Sequence, residues 1–333
     1  MRKLFASLGA VVMAATIAGC GAGGSDTGAD GTTKIKIGYP SDTASYGDLY
    51  VCQDEGIFAK HGLDVELTLL KTSTQLVAAL SSGTVQIAGG DGRAIAGGAL
   101  KDIDLKMIEL KLPRYFVEMF GDKSIKSIED LKGKRIGATA PGSVTDSALR
   151  IMLADKGLTD QVEIKNLTSL PALVAAAKSG EIDALVTAPP QGVETESQGW
   201  HKITDMTNYK TAASVYAVEG SYAKENSEAV GKFVKADLEC LAFLQKDANR
   251  DKSIDAIQKY TKTEDREMVA YAYDFFKKVW VTDPVVDEDL VREAFRDAAS
   301  GGGGKVPDDI SKFIDNSFLD KARKDGFIDE VNK

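Results

Sequence analysis

The chain has 333 residues, 43% hydrophobic and 27% charged, with a formal net charge of −9. So acidic a balance argues against a nucleic-acid partner and against adsorption to membranes through a polybasic surface. Three cysteines and two histidines, with His61 and His201 far apart and no CxxC or HExxH spacing, give no basis for a zinc centre, and no metal or cofactor is expected.

The N-terminus reads as an export signal over residues 1–19. Met1-Arg2-Lys3 is basic, Leu4 to Ile17 is almost uncharged and apolar, and Ala18-Gly19 precede Cys20. The apolar run falls short of the roughly 20 residues that span a bilayer. Ala-Gly-Cys resembles the lipobox of bacterial lipoproteins. That implies acylation of the Cys20 thiol and cleavage before it, which anchors the mature chain to the cell membrane on its outer side. Residues 20–33 then form a tether: Gly21 to Thr33 hold no large apolar side chain, and such a Gly-rich segment spans about 20 Å.

The remaining 300 or so residues are enough for two lobes. Strands are predicted at Ile35–Gly38, Val65–Leu69, Val85–Ala88, Leu105–Leu110, Phe116–Phe120, Arg135–Ala138, Val162–Lys165 and Ala184–Val186. Helices are predicted near Asp48–Lys60, Thr74–Ser81, Ser143–Lys156 and Pro171–Ser179, and mostly helix follows Ser227. The alternation of strand and helix points to an α/β fold with parallel-rich sheets. Cys52 and Cys240 lie in apolar helical contexts and read as buried free thiols, although an exported chain also permits a disulfide.

An internal repeat organises these elements. Leu76-Val-Ala-Ala-Leu-Ser-Ser-Gly83 returns as Leu173-Val-Ala-Ala-Ala-Lys-Ser-Gly180, in each case a helix closing on glycine before a strand. Upstream, Lys36-Ile37-Gly38 and Arg135-Ile136-Gly137 each lead into a Pro/Ser turn. Two half-units in the same order predict two similar lobes.

Several stretches together resemble the nitrate/sulfonate/taurine substrate-binding proteins of ABC importers, a group that includes binders of thiamine precursors. They are KIKIGYPSD through Phe58-Ala59-Lys60-His61-Gly62-Leu63, LVAALSSGTVQIAGGDG, SIEDLKGKRIGATAPGS and LVAAAKSGEIDALVTAPP. The likeness runs from Lys34 to about Asp247. It implies a two-lobed periplasmic-binding-protein fold of type II-like form, with two Rossmann-like lobes and a two-segment hinge. Lobe one would be residues 34–114 plus 218–333, and lobe two 115–217. A small-molecule ligand would sit in the cleft, closure around it would be read by an ABC permease, and the chain would act as a monomer without catalysis.

Ligands in such sheets lie beyond the carboxyl ends of strands. Four segments therefore supply candidate ligand-binding residues. The first holds Ser41, Asp42 and Tyr46; the second Gly90, Asp91 and Arg93, where paired glycines would admit a ligand close to the backbone. The third, Gly142-Ser143-Val144-Thr145, opens a helix whose free N–H groups suit an anion, while Ser143 with Asp146 could equally cap that helix. The fourth is Pro189-Pro190-Gln191. Arg93 and Arg114 are candidate partners for a sulfonate or carboxylate, with Arg114 at the expected hinge. Asp42 and Asp91 would instead receive an amine. An enzyme on the same fold and a ligand-sensing ectodomain remain open, although no Gly-x-Ser-x-Gly or Walker loop is present.

Overall fold

The computed structural model describes residues 31–333. The predicted signal peptide, Cys20 and most of the tether lie outside the described residues.

The strands are β1 (Thr33–Tyr39), β2 (Leu63–Leu69), β3 (Ile87–Gly90), β4 (Leu105–Arg114), β5 (Glu118–Gly121), β6 (Arg135–Ala138), β7 (Glu163–Asn166), β8 (Ala184–Thr187), β9 (His201–Asp205) and β10 (Lys210–Glu219). They form two five-stranded sheets of the same design, β2-β1-β3-β10-β4 and β7-β6-β8-β5-β9. In each, three parallel strands are followed by one antiparallel strand delivered from the other side of the crossover.

The helices are α1 (Gly47–Asp54), α2 (Ile57–Lys60), α3 (Ser73–Ser81), α4 (Gly92–Ala99), α5 (Val144–Asp155), α6 (Leu170–Ser179), α7 (Gln191–Ser197), α8 (Gly220–Glu225), α9 (Ser227–Gln245), α10 (Arg250–Thr261), α11 (Arg266–Phe276), α12 (Glu288–Ala298), α13 (Ser317–Lys324) and α14 (Phe327–Val331). The helical stretch predicted from Asp48 to Lys60 is broken at Gly56, whose φ of 69° lies in the left-handed region that only glycine enters without strain.

The sequence repeat has a packing cause. A Cβ on Gly38 would lie 3.0 Å from Leu76, and one on Gly137 would lie 2.8 Å from Leu173. In both lobes the first strand needs glycine so that the repeated leucine, fully buried each time, can close on it. Gly83 and Gly180 end the two helical repeats with φ of 71° and 74°.

Two short crossovers join the lobes, and they bond to each other: Tyr115 N–H donates to Tyr209 O at 3.0 Å, and Met206 N–H to Val117 O at 3.0 Å. The second crossover falls earlier than predicted. Residues 210–217, expected in lobe two, belong to β10, which hydrogen-bonds between β3 and β4 in the first sheet. By strand membership, lobe two ends before Lys210.

The two cysteines also differ from expectation. Cys52 on α1 and Cys240 on α9 are joined as a disulfide, with Cα atoms 5.6 Å apart. The two helices pack face to face, which brings the fully buried sulfurs within bonding reach.

Candidate functional site

The loops after β1, β3, β6 and β8 lie at the carboxyl ends of the parallel strands, as predicted, but many of their side chains serve the protein itself. Asp42 is exposed and Ser41 half-buried, 3.5 Å from the Thr43 hydroxyl. Tyr46, expected to face a ligand, is buried beneath the loop with the Lys111 ammonium 4.5 Å from its ring centroid. Gly89 and Gly90 are small for the sake of internal packing: a Cβ would meet the Tyr216 ring at 2.7 Å and Leu76 at 2.6 Å. Pro189 and Pro190 are buried, and the Gln191 Oε1 and Thr187 Oγ1 atoms are enclosed without a hydrogen-bond partner.

At the start of α5 the capping reading is the one realised. Ser143 Oγ accepts from Asp146 N–H at 3.3 Å, and Asp146 Oδ2 in turn accepts from Gly142 N–H at 2.9 Å. Thr145 Oγ1 accepts from Thr139 N–H and lies 2.7 Å from the Thr139 hydroxyl, while Val144 is half-buried. A buried carboxylate thus lies at the positive end of this helix.

Arg93 is committed to protein acceptors as well. Its Nη1 donates to Ser147 Oγ at 3.1 Å across the lobe boundary and lies 4.0 Å from Asp146 Oδ2. Its Nε donates to Asp297 O at 3.3 Å. Asp91, whose Oδ1 caps α4 by accepting from Arg93 N–H at 2.9 Å, leaves Oδ2 buried and unpartnered.

Burial pushes the Asp91 carboxyl up to about 7, with the Arg93 amide opposing and Asp297 reinforcing the rise. Because the folded value exceeds the unfolded one, stability is complete below about pH 4 and declines as the pH climbs to 7. Asp91→Asn keeps the cap and removes the charge. Its stability advantage over the parent is expected to widen by about 1.4 kcal/mol per pH unit across that window. Denaturant unfolding at pH 4, 6 and 8 checks this, and parallel profiles would refute it.

A cavity of about 490 Å³ opens at the lobe junction. Arg114 reaches it from the end of β4, Glu118 from β5, Lys202 and Asp205 from β9, and Tyr271, Asp274, Phe275 and Lys278 from α11 and the turn after it. Glu118 is fully buried and doubly held, accepting from Lys202 Nζ at 2.7 Å and from Tyr271 Oη at 3.2 Å. Burial, with Glu118 behind it, raises the Tyr271 hydroxyl above its ordinary range and keeps it a donor. Asp274 is paired with Arg250 at 2.8 Å. Arg114 and Lys278 carry the charges that have no ion-pair partner among the described residues.

The cavity therefore offers two free cations beside a phenol and a phenyl ring, a donor set that suits an organic anion. Of these lining residues, Arg114 is the one that the sequence reading had singled out. Lys202 lies on the unpredicted strand β9, and α11 returns to the hinge from the far end of the chain. Among the described residues no group of His, Cys, Asp and Glu side chains is arranged to hold a metal ion.

Comparison with known proteins agrees with this architecture. The family described as NMT1/THI5 like matches residues 44–250. A protein named as a binding protein in Brucella abortus is 26% identical over 239 residues, covering 69% of this chain and 72% of its own length. Among solved structures, the periplasmic aliphatic sulphonate binding protein SsuA of Escherichia coli aligns with a TM-score of 0.71 at 18% identity, over 86% of this chain and 98% of its own. The periplasmic nitrate-binding protein NrtA of Synechocystis aligns at 0.73 and 14%, over 88% and 89%.

Proposed function

The chain belongs to the NMT1/THI5-like family, and from that premise we propose that it is the extracytoplasmic solute-binding lipoprotein of an ABC importer, capturing a small organic anion at the lobe junction. The observation that carries this reading is the junction cavity. Both lobes line it, it lies against the paired crossovers, and it presents Arg114 and Lys278 uncompensated next to Tyr271 and Phe275. A sulfonate or aromatic carboxylate would place its charge on the guanidinium and ammonium and its apolar part on the rings. Hinge closure would then report occupancy to a permease. The Brucella, Escherichia coli and Synechocystis proteins described above are named for binding rather than turnover, which supports a non-catalytic role. Lipid attachment at Cys20 is part of the same proposal and rests on the sequence around that residue.

A thermal-shift screen of the purified chain against sulfonates, nitrate, aromatic acids and amino acids tests the binding role. A ligand at 100 times its Kd adds about 2.7 kcal/mol. The Arg114→Ala/Lys278→Ala variant is expected to lose the shift for the anionic hit, with affinity down at least tenfold. Unchanged affinity would move the ligand elsewhere in the cleft, and conversion of the hit to product would replace the binding reading with an enzymatic one. In cells, uptake of that ligand should vanish on deletion, and Cys20→Ser should release the chain from the membrane. Intact uptake with lost signalling would favour a sensor.

A further inference from the structure

We propose that Arg93 is a positioning residue that clasps the two lobes together in the absence of ligand and so sets how tightly ligand is held. Arg93 stands on α4 of lobe one, where Asp297 of α12 anchors it through both the backbone carbonyl at 3.3 Å and Oδ2 at 3.4 Å. From that anchor Nη1 reaches the Ser147 hydroxyl on α5 of lobe two. The acceptor side is rigid. Ser147 is fully buried, and Asp146 beside it is fixed by Gly142 N–H, by Arg150 Nε at 3.0 Å and by Asn166 Nδ2 at 3.0 Å.

The backbone on both sides is cut to fit the guanidinium. A Cβ on Gly142, in lobe two, would come within 3.0 Å of Nη1, and one on Gly301, in lobe one, within 2.7 Å of Nη2. The Arg93 side chain is only 14% exposed, so this bridge is screened far less than a surface ion pair. Hinge opening must pull Arg93 from Ser147, because the two sit on different lobes while Asp297 travels with Arg93.

On the other side of the junction Tyr271 of α11 donates to Glu118 of β5, a second contact between the lobes. The two lobes are thus hydrogen-bonded to each other at both of these places. When a ligand binds one of two conformations, its apparent Kd is its intrinsic Kd divided by the population of that conformation. A clasp that populates the closed form therefore lowers Kd.

The effect on affinity rests on the binding role proposed above; the effect on closure does not. Donor and acceptor dyes placed on the two lobes of the full chain would report the inter-lobe distance without ligand. Arg93→Ala and Ser147→Ala are each expected to shift that distribution to longer distances, and the double variant to shift it no further than either alone. With the anionic hit of the screen, each single variant should raise Kd about tenfold. If Arg93 instead touches ligand directly, Arg93→Ala weakens binding while Ser147→Ala leaves it unchanged. That result, or an unaltered distance distribution in Ser147→Ala, would overturn the clasp. Should Arg93→Ala fail to fold, Ser147→Ala decides alone. A shifted distance distribution with no ligand found would refute the binding role and keep the clasp.

Discussion

Replacing Lys111 by Met is expected to destabilise the chain by about 3–5 kcal/mol, while Asp237→Asn and Glu109→Gln, a few ångströms away in the same core, should cost nothing at neutral pH. The Lys111 ammonium is completely buried and donates to both Asp48 carboxylate oxygens at 2.8 Å and to the Tyr216 hydroxyl at 3.2 Å. Tyr216 in turn donates to Asp48 Oδ2 at 2.6 Å, and the ammonium lies 4.5 and 4.7 Å from the Tyr46 and Tyr216 ring centroids. This closed arrangement satisfies one cation and one carboxylate. Removing the cation strands Asp48 as a buried charge or forces a proton onto it.

Glu109 and Asp237 are different. No donor group faces either carboxyl, and burial first, then neighbouring carboxylates, drives both well above the ordinary range. Both therefore favour the neutral form, in which Asp237 can donate to Asp48. Their folded values are raised, so each contributes a penalty that grows as the pH rises from the unfolded value toward the folded one. Asp237→Asn and Glu109→Gln relieve that penalty and should stabilise progressively as the pH rises above the ordinary carboxylate value of about 4. Chemical denaturation of the three variants separates the cases, and Lys111→Met/Asp48→Asn should recover most of the loss of Lys111→Met. A small loss in Lys111→Met alone would mean that water reaches the cluster.

None of this cluster was legible in the sequence. Asp48 and Lys111 belong to a helix and a strand 63 residues apart, and nothing in their local pattern marks them as partners. What could be read was what repeats or punctuates: the glycine-closed helices at Gly83 and Gly180 and the strand glycines Gly38 and Gly137. These features arise from backbone geometry, which single residues report. β10 escaped because Lys210–Glu219 is buried along nearly its whole length and so lacks the alternation that announces a strand. Its residues 210–217 therefore fell on the lobe-two side of the boundary that the family resemblance implied.

Of the residues lining the junction cavity, the sequence reading had singled out Arg114, which ends β4. It had not singled out Tyr271 or Lys278, which tertiary packing of the C-terminal helices brings back. Core packing encloses Tyr46 and leaves no room for a side chain at Gly90, and an inter-lobe hydrogen bond holds Arg93, a competition that one sequence does not display.

Loss of the Cys52–Cys240 bond is the other large effect expected, about 3–5 kcal/mol. The cross-link joins residues 188 apart, so the loop it closes in the unfolded chain is long and the conformational entropy it withholds is correspondingly large. A chain of this size should melt on the order of 10 °C lower without it. The sulfurs are fully buried between α1 and α9, so reductant gains access only when those helices part. Reduction of the folded chain should therefore be slow and should track unfolding, whereas Cys52→Ala/Cys240→Ala should show the full loss at once.

The bond also ties stability to location. Thiols are kept reduced in the cytosol and pair outside it, so chain retained in the cytosol should carry the lower melting temperature and exported chain the higher one. Melting both preparations with and without reductant measures this. Identical curves would return the two cysteines to the free thiols that their sequence context suggested, and would remove the disulfide as support for export.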